Sequence, residues 1–168
     1  MLIIQPHGMG DQIMITPLLK LLKSNYRNIV IRIVVSSIAS KAVIENSKLV
    51  DEIEVFNRNK ENIFGYFRLI WKNFVFSPNI SYVAPYTNLI LGQVLSFCSG
   101  AKIRIGEDKS MPIFGYTHYN PKCLNMHKVD ANIFLFNIGL RLSKASIQPY
   151  FYLKNKELLF GEDFFTKN

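Results

Sequence analysis

Cysteine is scarce in this sequence. The chain has only two cysteines, Cys98 and Cys123, which stand far apart and form no Cys-x-x-Cys pair. A structural zinc site needs four ligands, usually supplied as two such closely spaced pairs. The sequence therefore gives no support for a metal site, and we expect two reduced thiols that are buried or half-buried.

Long hydrophobic runs are also missing. The longest candidate, 89–98, is interrupted by Gly92 and Gln93, whereas a membrane-spanning helix needs about 18 consecutive apolar residues. The short apolar segment at the start has neither the basic region nor the cleavage site of a signal peptide. We therefore predict a cytoplasmic protein.

Blocks of one charge are absent as well, although the chain is basic. The net charge is +8, and each half of the chain carries ten Lys or Arg against six Asp or Glu. An evenly spread basic charge favours anionic partners such as nucleic acid, phosphorylated sugars or an anionic membrane surface. A soluble basic protein without such a partner would have the same composition.

Apolar and aromatic residues, in contrast, are plentiful. The chain has 168 residues, of which 49% are hydrophobic, with 13 Phe and 8 Tyr. This composition is typical of a packed globular domain and not of a disordered chain. We expect one domain with a substantial core.

Predicted strands and helices alternate along the chain. The first helix directs Leu18, Leu19, Leu21 and Leu22 inward. We predict strands at 2–5, 28–37, 50–56, 80–86, 101–106 and 149–153. Further helices are predicted at 38–46, 60–76, 87–98 and 127–142. This order predicts an α/β fold with a Rossmann-like parallel sheet flanked by helices. Ligands of such sheets bind beyond the carboxyl ends of the strands, where the turn containing Asp11 lies.

Asp11 has three possible roles. A dinucleotide site is disfavoured because Ile13 stands where the third glycine of the Gly-x-Gly-x-x-Gly fingerprint belongs, and no acid ends the second strand. Asp11 could instead cap the first helix, although Thr16-Pro17 is itself a good helix start. The third role is that of a general base, beside glycines that admit a substrate closely.

Four stretches of the chain resemble the bacterial ADP-heptose:lipopolysaccharide heptosyltransferases of glycosyltransferase family 9. The stretches are LIIQPHGMGDQIMITPLLKLLKSNY at the start, NSKLVDEIEVF at 46–56, SGAKIRIGED at 99–108 and HKVDANIFL at 127–135. They are similar to the family's Gly-Asp turn with its Thr-Pro-Leu helix, its third strand, its Arg-Ile-Gly segment and its His-x-x-Asp helix. They also occur in the family's order and cover most of the chain.

The resemblance implies the amino-terminal half of a two-domain GT-B glycosyltransferase. That half would be a Rossmann-like acceptor-binding domain over 1–150, with 151–168 as the start of the interdomain link. The carboxyl-terminal domain that binds the nucleotide sugar would then be missing or separate, and we expect little or no turnover from this chain alone. No cofactor and no metal ion are implied.

The resemblance also assigns roles to individual residues. Asp11 falls on the family's proposed base, which takes a proton from an acceptor hydroxyl as the sugar is transferred with inversion. Gly8, Met9 and Gly10 would then line the acceptor site beside it. Two departures from the family are Gln5, where a basic residue is common, and Ala131, where the family often has Arg.

Basic residues after the third predicted strand meet acceptor phosphates in the family, and here they are Arg58 and Lys60. His7, His127 and Asp130 are further candidates for the pocket or for a contact between domains. His127 and Asp130 could also pair with each other or cap their helix.

The basic and aromatic stretch 60–76 has two interpretations. It is suited to lie on an anionic membrane surface, which fits an acceptor embedded in lipid. We expect instead that most of its aromatic side chains are core and that its charges are solvated.

The sequence thus predicts a heptosyltransferase-like acceptor domain, with heptose from ADP-heptose as the donor sugar and the lipopolysaccharide inner core as the acceptor. It would act at the cytoplasmic face of the inner membrane, with possible peripheral membrane contact and without nucleic acid. The alternatives are a relative that uses another nucleotide sugar and a non-catalytic saccharide- or membrane-binding remnant.

Overall fold

The computed structural model describes residues 1–87, 89–108, 115–140 and 149. Its elements in chain order are β1 (Leu2–Gln5), α1 (Met9–Asn25), β2 (Arg32–Val35), α2 (Ile38–Glu45), β3 (Glu52–Val55), α3 (Ile63–Phe76), β4 (Ile80–Val83), α4 (Leu89–Cys98), β5 (Ile103–Gly106), β6 (His118–Tyr119), a 3₁₀ helix (Pro121–Asn125) and α5 (Lys128–Gly139). Within these ranges, no helix combines the length and apolar character needed to cross a bilayer.

The strands form one sheet in the order β3-β2-β1-β4-β5-β6, and every neighbouring pair is parallel. The predicted Rossmann-like α/β fold is therefore confirmed. Because the chain moves outward from β1 first in one direction and then in the other, the order reverses between β1 and β4. In open parallel sheets, ligands bind at this switch point.

Both faces of the sheet are covered, which explains why its strands are nearly continuous apolar runs. Successive side chains of a strand point to opposite faces. Ile3 accordingly packs with Leu18 and Phe136 from α1 and α5. Leu2 and Ile4 pack with Leu69 and Leu95 from α3 and α4 on the other face.

The first helix is continuous through its proline. It begins at Met9 and contains Pro17, which lacks the N–H that would bond to the carbonyl of Ile13. The hydroxyl of Thr16 donates to that carbonyl at 2.7 Å instead. The interpretation of Thr16-Pro17 as the helix start is therefore wrong, and Asp11 lies inside the helix.

Most predicted elements are present with shorter bounds. The predicted strand at 28–37, for example, is confined to Arg32–Val35. The two-residue β6 and the 3₁₀ helix were not predicted, because neither is long enough to show a periodicity. The predicted strand at 149–153 lies outside the described residues, apart from Pro149.

The expected burial of the α3 aromatics is wrong. Phe64, Phe67, Trp71 and Phe74 are each more than half exposed. The helix instead buries positions four apart along one stripe, which are Gly65, Leu69 and Asn73. Tyr66 and Ile70 are partly buried against the same core, while the four exposed aromatics lie on the other side of the helix.

Candidate functional site

The turn between β1 and α1 lies at the switch point and is fixed by two glutamines. Gln12 donates to the carbonyls of Gln5 and His7 at 2.8 and 3.2 Å. Gln5 donates to the carbonyl of Asp11 at 3.2 Å. Both side chains are buried, so their hydrogen bonds fix the backbone that carries Asp11 from the interior of the protein.

The start of α1 is open on its outer side. Gly8 is the N-cap, and a Cβ added to Gly8 or Gly10 would meet nothing within 4 Å. Met9 between them is 54% exposed. The three residues predicted to bind the acceptor therefore border accessible space, with backbone amides at a helix start.

Asp11 is the third residue of α1, and its carboxylate does not cap the helix. The Nζ of Lys128, the first residue of α5, forms an ion pair with Oδ1 of Asp11. The Asp11 side chain is 20% exposed and that of Lys128 is 48% exposed. Among the described residues, Oδ2 of Asp11 has no hydrogen-bond donor, so this oxygen is available to a ligand.

Lys128 also faces an aromatic ring. Its Nζ lies 5.6 Å from the ring centre of Tyr86, in the turn that follows β4. Tyr86 has a left-handed backbone with φ of 64°, which is strained for a bulky residue. Its N–H donates to Oε2 of Glu107 at 2.6 Å, which holds the turn in this conformation.

These groups surround a small pocket between β1, β4 and α5. Its lining residues are Gln5, Asp11, Met14, Pro85, Tyr86, Lys128 and Asn132. The Oε1 of Gln5 is buried there and accepts no hydrogen bond from a described residue. An unpaired buried oxygen is costly, and the pocket, at about 10 Å³, has room for roughly one water-sized group beside it.

His7 lies beside the pocket and is half-buried. Burial lowers the pKa of its imidazole, the Asp11 carboxylate opposes that lowering and Lys128 adds to it. Its Nε2 is 3.3 Å from the hydroxyl oxygen of Thr87. The imidazole is therefore neutral near pH 7 and linked to the turn after β4.

Arg58 and Lys60 follow β3 and lie at the same edge of the sheet as Asp11. Both are exposed, and neither forms an ion pair with a described residue. Strand β2 separates β3 from β1, which places them roughly 10 Å from the end of β1. The structure therefore leaves them outside the small pocket, at the same edge of the sheet.

His127 and Asp130 flank Lys128 at the start of α5 and are exposed. His127 occupies the N-cap position without a side-chain capping bond. The two side chains do not pair with each other, so neither the predicted pairing nor the predicted cap is observed.

Sequence reasoning missed Lys128, Tyr86 and Glu107. Lys128 lies 117 positions from Asp11, and no local pattern in either segment indicates that their side chains meet. The only available signal was the segment HKVDANIFL, in which the lysine follows the histidine directly. Among the described residues, no three His, Cys, Asp or Glu side chains could together hold a metal ion.

Comparison with known proteins supports the sequence resemblance at the level of the fold. The chain superimposes with a TM-score of 0.80 and 16% identity on a family 9 glycosyl transferase from Veillonella parvula, with 99% of this chain covered. It also matches E. coli heptosyltransferase WaaC with ADP-2-deoxy-2-fluoro heptose, at a TM-score of 0.66, 17% identity and 88% coverage. E. coli ADP-heptose lps heptosyltransferase II gives a TM-score of 0.67 at 16% identity, with 98% of this chain covered.

The chain has the heptosyltransferase fold. It spans 48% of the Veillonella chain and 50% of each of the two E. coli chains, so the match covers about half of these proteins. No protein-family model matches the sequence, and no curated protein matches it significantly. The three solved structures named above are of the family that the sequence stretches resemble.

Proposed function

We propose that this chain is the acceptor-binding part of a heptosyltransferase-like glycosyltransferase, with Asp11 as the general base. The observation that carries this proposal is the position of the Asp11 carboxylate. It lies at the switch point of a heptosyltransferase-like fold, with one oxygen paired to Lys128 and the other open. A base must reach the proton that it abstracts, and Oδ2 meets that requirement.

In the proposed reaction, an acceptor hydroxyl gives its proton to Oδ2 of Asp11, and its oxygen forms a bond to the anomeric carbon of the donor heptose with inversion. The bond from that carbon to the phosphate oxygen of ADP breaks, and ADP leaves. Lys128 positions the carboxylate, and Oε1 of Gln5 accepts a second acceptor hydroxyl. Gly8, Met9 and Gly10 border the acceptor, while Arg58 and Lys60 bind its phosphates. The neutral His7 supports the turn that follows β4.

The acceptor in this proposal is the lipopolysaccharide inner core, and the donor is ADP-heptose. The donor is held by a second domain, which corresponds to the half of the matched structures that this chain does not cover. Transfer takes place at the cytoplasmic face of the inner membrane. The proposed acceptor domain covers residues 1–150, with the interdomain link beginning at 151.

A reconstitution assay tests this proposal. Transfer from ADP-heptose to heptose-deficient lipopolysaccharide is measured with this chain alone and with the donor half of a heptosyltransferase added. We expect transfer only in the mixture. If the saccharide binds to this chain but no mixture transfers heptose, the chain is a saccharide-binding module and the proposal fails.

The same assay tests the role of Asp11. Asp11→Asn should lower transfer about 10²- to 10⁴-fold, because the general base is lost, while the affinity for the saccharide changes less than about threefold. Glu45→Gln is the matched control, since it removes another lysine-paired carboxylate, on α2. Transfer by Asp11→Asn at the wild-type rate would show that Asp11 is not the base.

A further inference from the structure

Helix α3 carries a continuous exposed apolar surface, which we term the aromatic stripe. Its members are 55–76% exposed and comprise Ile63, Phe64, Phe67, Trp71, Phe74 and Val75. At about 100° of rotation per residue, these positions fall within about 120° of the helix circumference. They therefore form one face and are not isolated side chains.

The helix buries Leu69 and partly buries Tyr66 and Ile70 against the sheet, yet its outward face is also apolar. It directs Phe67 and Trp71 outward but buries Gly65 and Asn73. The Asn73 amide is fully buried, and neither its oxygen nor its nitrogen has a hydrogen-bond partner among the described residues. Since a helix selected only to cover the sheet would bury its aromatics and expose its asparagine, the outward face fits an apolar surrounding.

The charges around the aromatic stripe are basic. Helix α3 contains Arg68 and Lys72 and no acidic residue. On a helical projection, both fall next to the stripe on one side. Each is also paired with an acid outside the helix, Arg68 with Glu61 at 3.4 Å and Lys72 with Glu54 at 2.8 Å.

Two further cations adjoin the beginning of α3. Arg58 and Lys60 precede the helix in an exposed turn and form no ion pair with a described residue. The helix starts at the carboxyl edge of the sheet, so Ile63 and Phe64 lie at the same edge as Asp11. The apolar and the basic surface are therefore adjacent, and both begin at the carboxyl edge of the sheet.

We propose that the aromatic stripe inserts into the headgroup and upper acyl region of an anionic membrane surface, with Arg58 and Lys60 at the phosphates. Trp and Phe on one side of a helix with flanking Lys and Arg are the composition of interfacial helices. The inference goes beyond the proposed glycosyl transfer, because the aromatic stripe lies outside the pocket and its insertion needs no saccharide. Arg58 and Lys60 are shared with the proposed phosphate contacts of the acceptor.

Association with a second copy of the chain is the competing explanation for such a face. Joining two copies through α3 brings together two surfaces that each carry Arg58 and Lys60, which form no ion pair with a described residue, and these like charges repel. The net charge of +8 on each copy adds to this repulsion. An anionic lipid surface attracts these cations, so the electrostatic repulsion that opposes a dimer does not arise there.

The chain provides its own probe, because Trp71 is the only tryptophan in the sequence. The full chain is mixed with vesicles of phosphatidylglycerol and phosphatidylethanolamine, and its fluorescence is compared with that in phosphatidylcholine vesicles. We expect a blue shift and quenching by brominated acyl chains with the anionic vesicles, both weakened by salt. An emission spectrum unchanged by anionic vesicles would overturn the proposal.

Paired variants distinguish insertion through α3 from nonspecific adsorption to the vesicles. The double variant with Phe64→Ser and Phe67→Ser should partition into vesicles at least about tenfold more weakly. Each change removes an aromatic ring that the membrane would bury. Ile38→Ser is the matched control, because Ile38 is 78% exposed on α2, which covers the opposite face of the sheet. Equal loss in both variants contradicts insertion through α3.

Sedimentation equilibrium without lipid decides between membrane and self-association. The proposal requires a monomer with a solvent-exposed Trp71 under these conditions. A dimer that the Phe64→Ser and Phe67→Ser changes dissociate would assign the aromatic stripe to self-association and overturn the membrane proposal. Because no saccharide is present, this outcome leaves the proposed acceptor site unaffected.

Discussion

At the scale of single residues, the ion pair between Asp11 and Lys128 is the central feature of the candidate site. Each residue lies in the first turn of a helix, where the partial positive charge of the helix start favours an anion. Lys128 adds a full positive charge, and Asp11 contributes the only carboxylate among the described residues that line the pocket. The pocket therefore combines a cationic environment with one available carboxylate oxygen, which suits an acceptor carrying both hydroxyls and anionic groups.

Sequence reasoning reached part of this arrangement. Asp11 was located because parallel strands place the first turn at the ligand-binding edge, which is a consequence of topology alone. Lys128 was missed because its role depends on how α5 packs against α1. Tyr86 and Glu107 were missed for the same reason, since a left-handed turn held by a buried carboxylate has no local sequence pattern.

Gly10 provides a test at this scale. Gly10→Ala should leave the fold intact and raise the free energy of unfolding by about 0.5 kcal/mol, because Ala loses less backbone entropy in a helix. The new Cβ points into open space, where the acceptor is proposed to lie. We therefore expect weaker saccharide binding in a titration monitored by calorimetry, together with a higher melting temperature.

The expected melting temperature of Gly10→Ala rises while its saccharide affinity falls. Loss of structure therefore cannot explain both changes. Unchanged saccharide affinity in a stabilised variant would place the acceptor elsewhere. Lower affinity together with lower stability would mean that the variant disturbs the helix itself.

At the scale of the elements, α1 shows how one hydroxyl accommodates a proline. Pro17 leaves the carbonyl of Ile13 without its helical donor, and Thr16 takes that place from the preceding position. Thr16 is 1% exposed, so water does not have ready access to its hydroxyl. The helix can therefore run from the candidate site to its carboxyl end without a break.

Replacing this hydroxyl tests its contribution. Thr16→Val keeps the shape but removes the donor, and we expect the free energy of unfolding to fall by about 1–2 kcal/mol in urea denaturation. Ser24→Ala is the matched control, because Ser24 bonds to a helix carbonyl in the same way but is exposed. That change should cost less than about 0.5 kcal/mol, and equal losses would refute a special role for Thr16.

Helix α3 shows where element prediction from sequence fails. Its existence was predictable from the apolar pattern and from the break at Ser77-Pro78. The side that it presents to the sheet was not, because aromatic residues are more often buried than exposed and that tendency was applied to Phe64, Phe67 and Trp71. The direction in which a helix faces depends on its neighbours, here the β4 and α4 surface that receives Leu69.

At the scale of the whole molecule, pH should alter stability through the buried carboxyl group of Glu107. Burial raises its pKa above the ordinary value of 4.5, and the N–H of Tyr86 only partly offsets this. The folded state therefore binds this proton more tightly than the unfolded state does. The stabilisation is complete below the unfolded pKa and is lost as the pH rises through the folded pKa.

Glu107→Gln isolates this contribution, because the amide oxygen still accepts the Tyr86 bond but does not titrate. Denaturation curves of both proteins from about pH 4 to about pH 8 give the difference in free energy of unfolding. We expect the difference to shift in favour of the variant as the pH rises. A difference independent of pH would show that the Glu107 pKa is the same in both states.

The ion pair at the candidate site also has a consequence for how the protein is made. Its two partners are separated by 117 positions, and β1 pairs with β4 across a large part of the chain. During translation, the residues that carry Asp11 leave the ribosome long before Lys128 is synthesised. Contacts of such large sequence separation close slowly, so the nascent chain holds an incomplete pocket until α5 docks. The pocket is therefore complete only after α5 has been synthesised and has docked against α1.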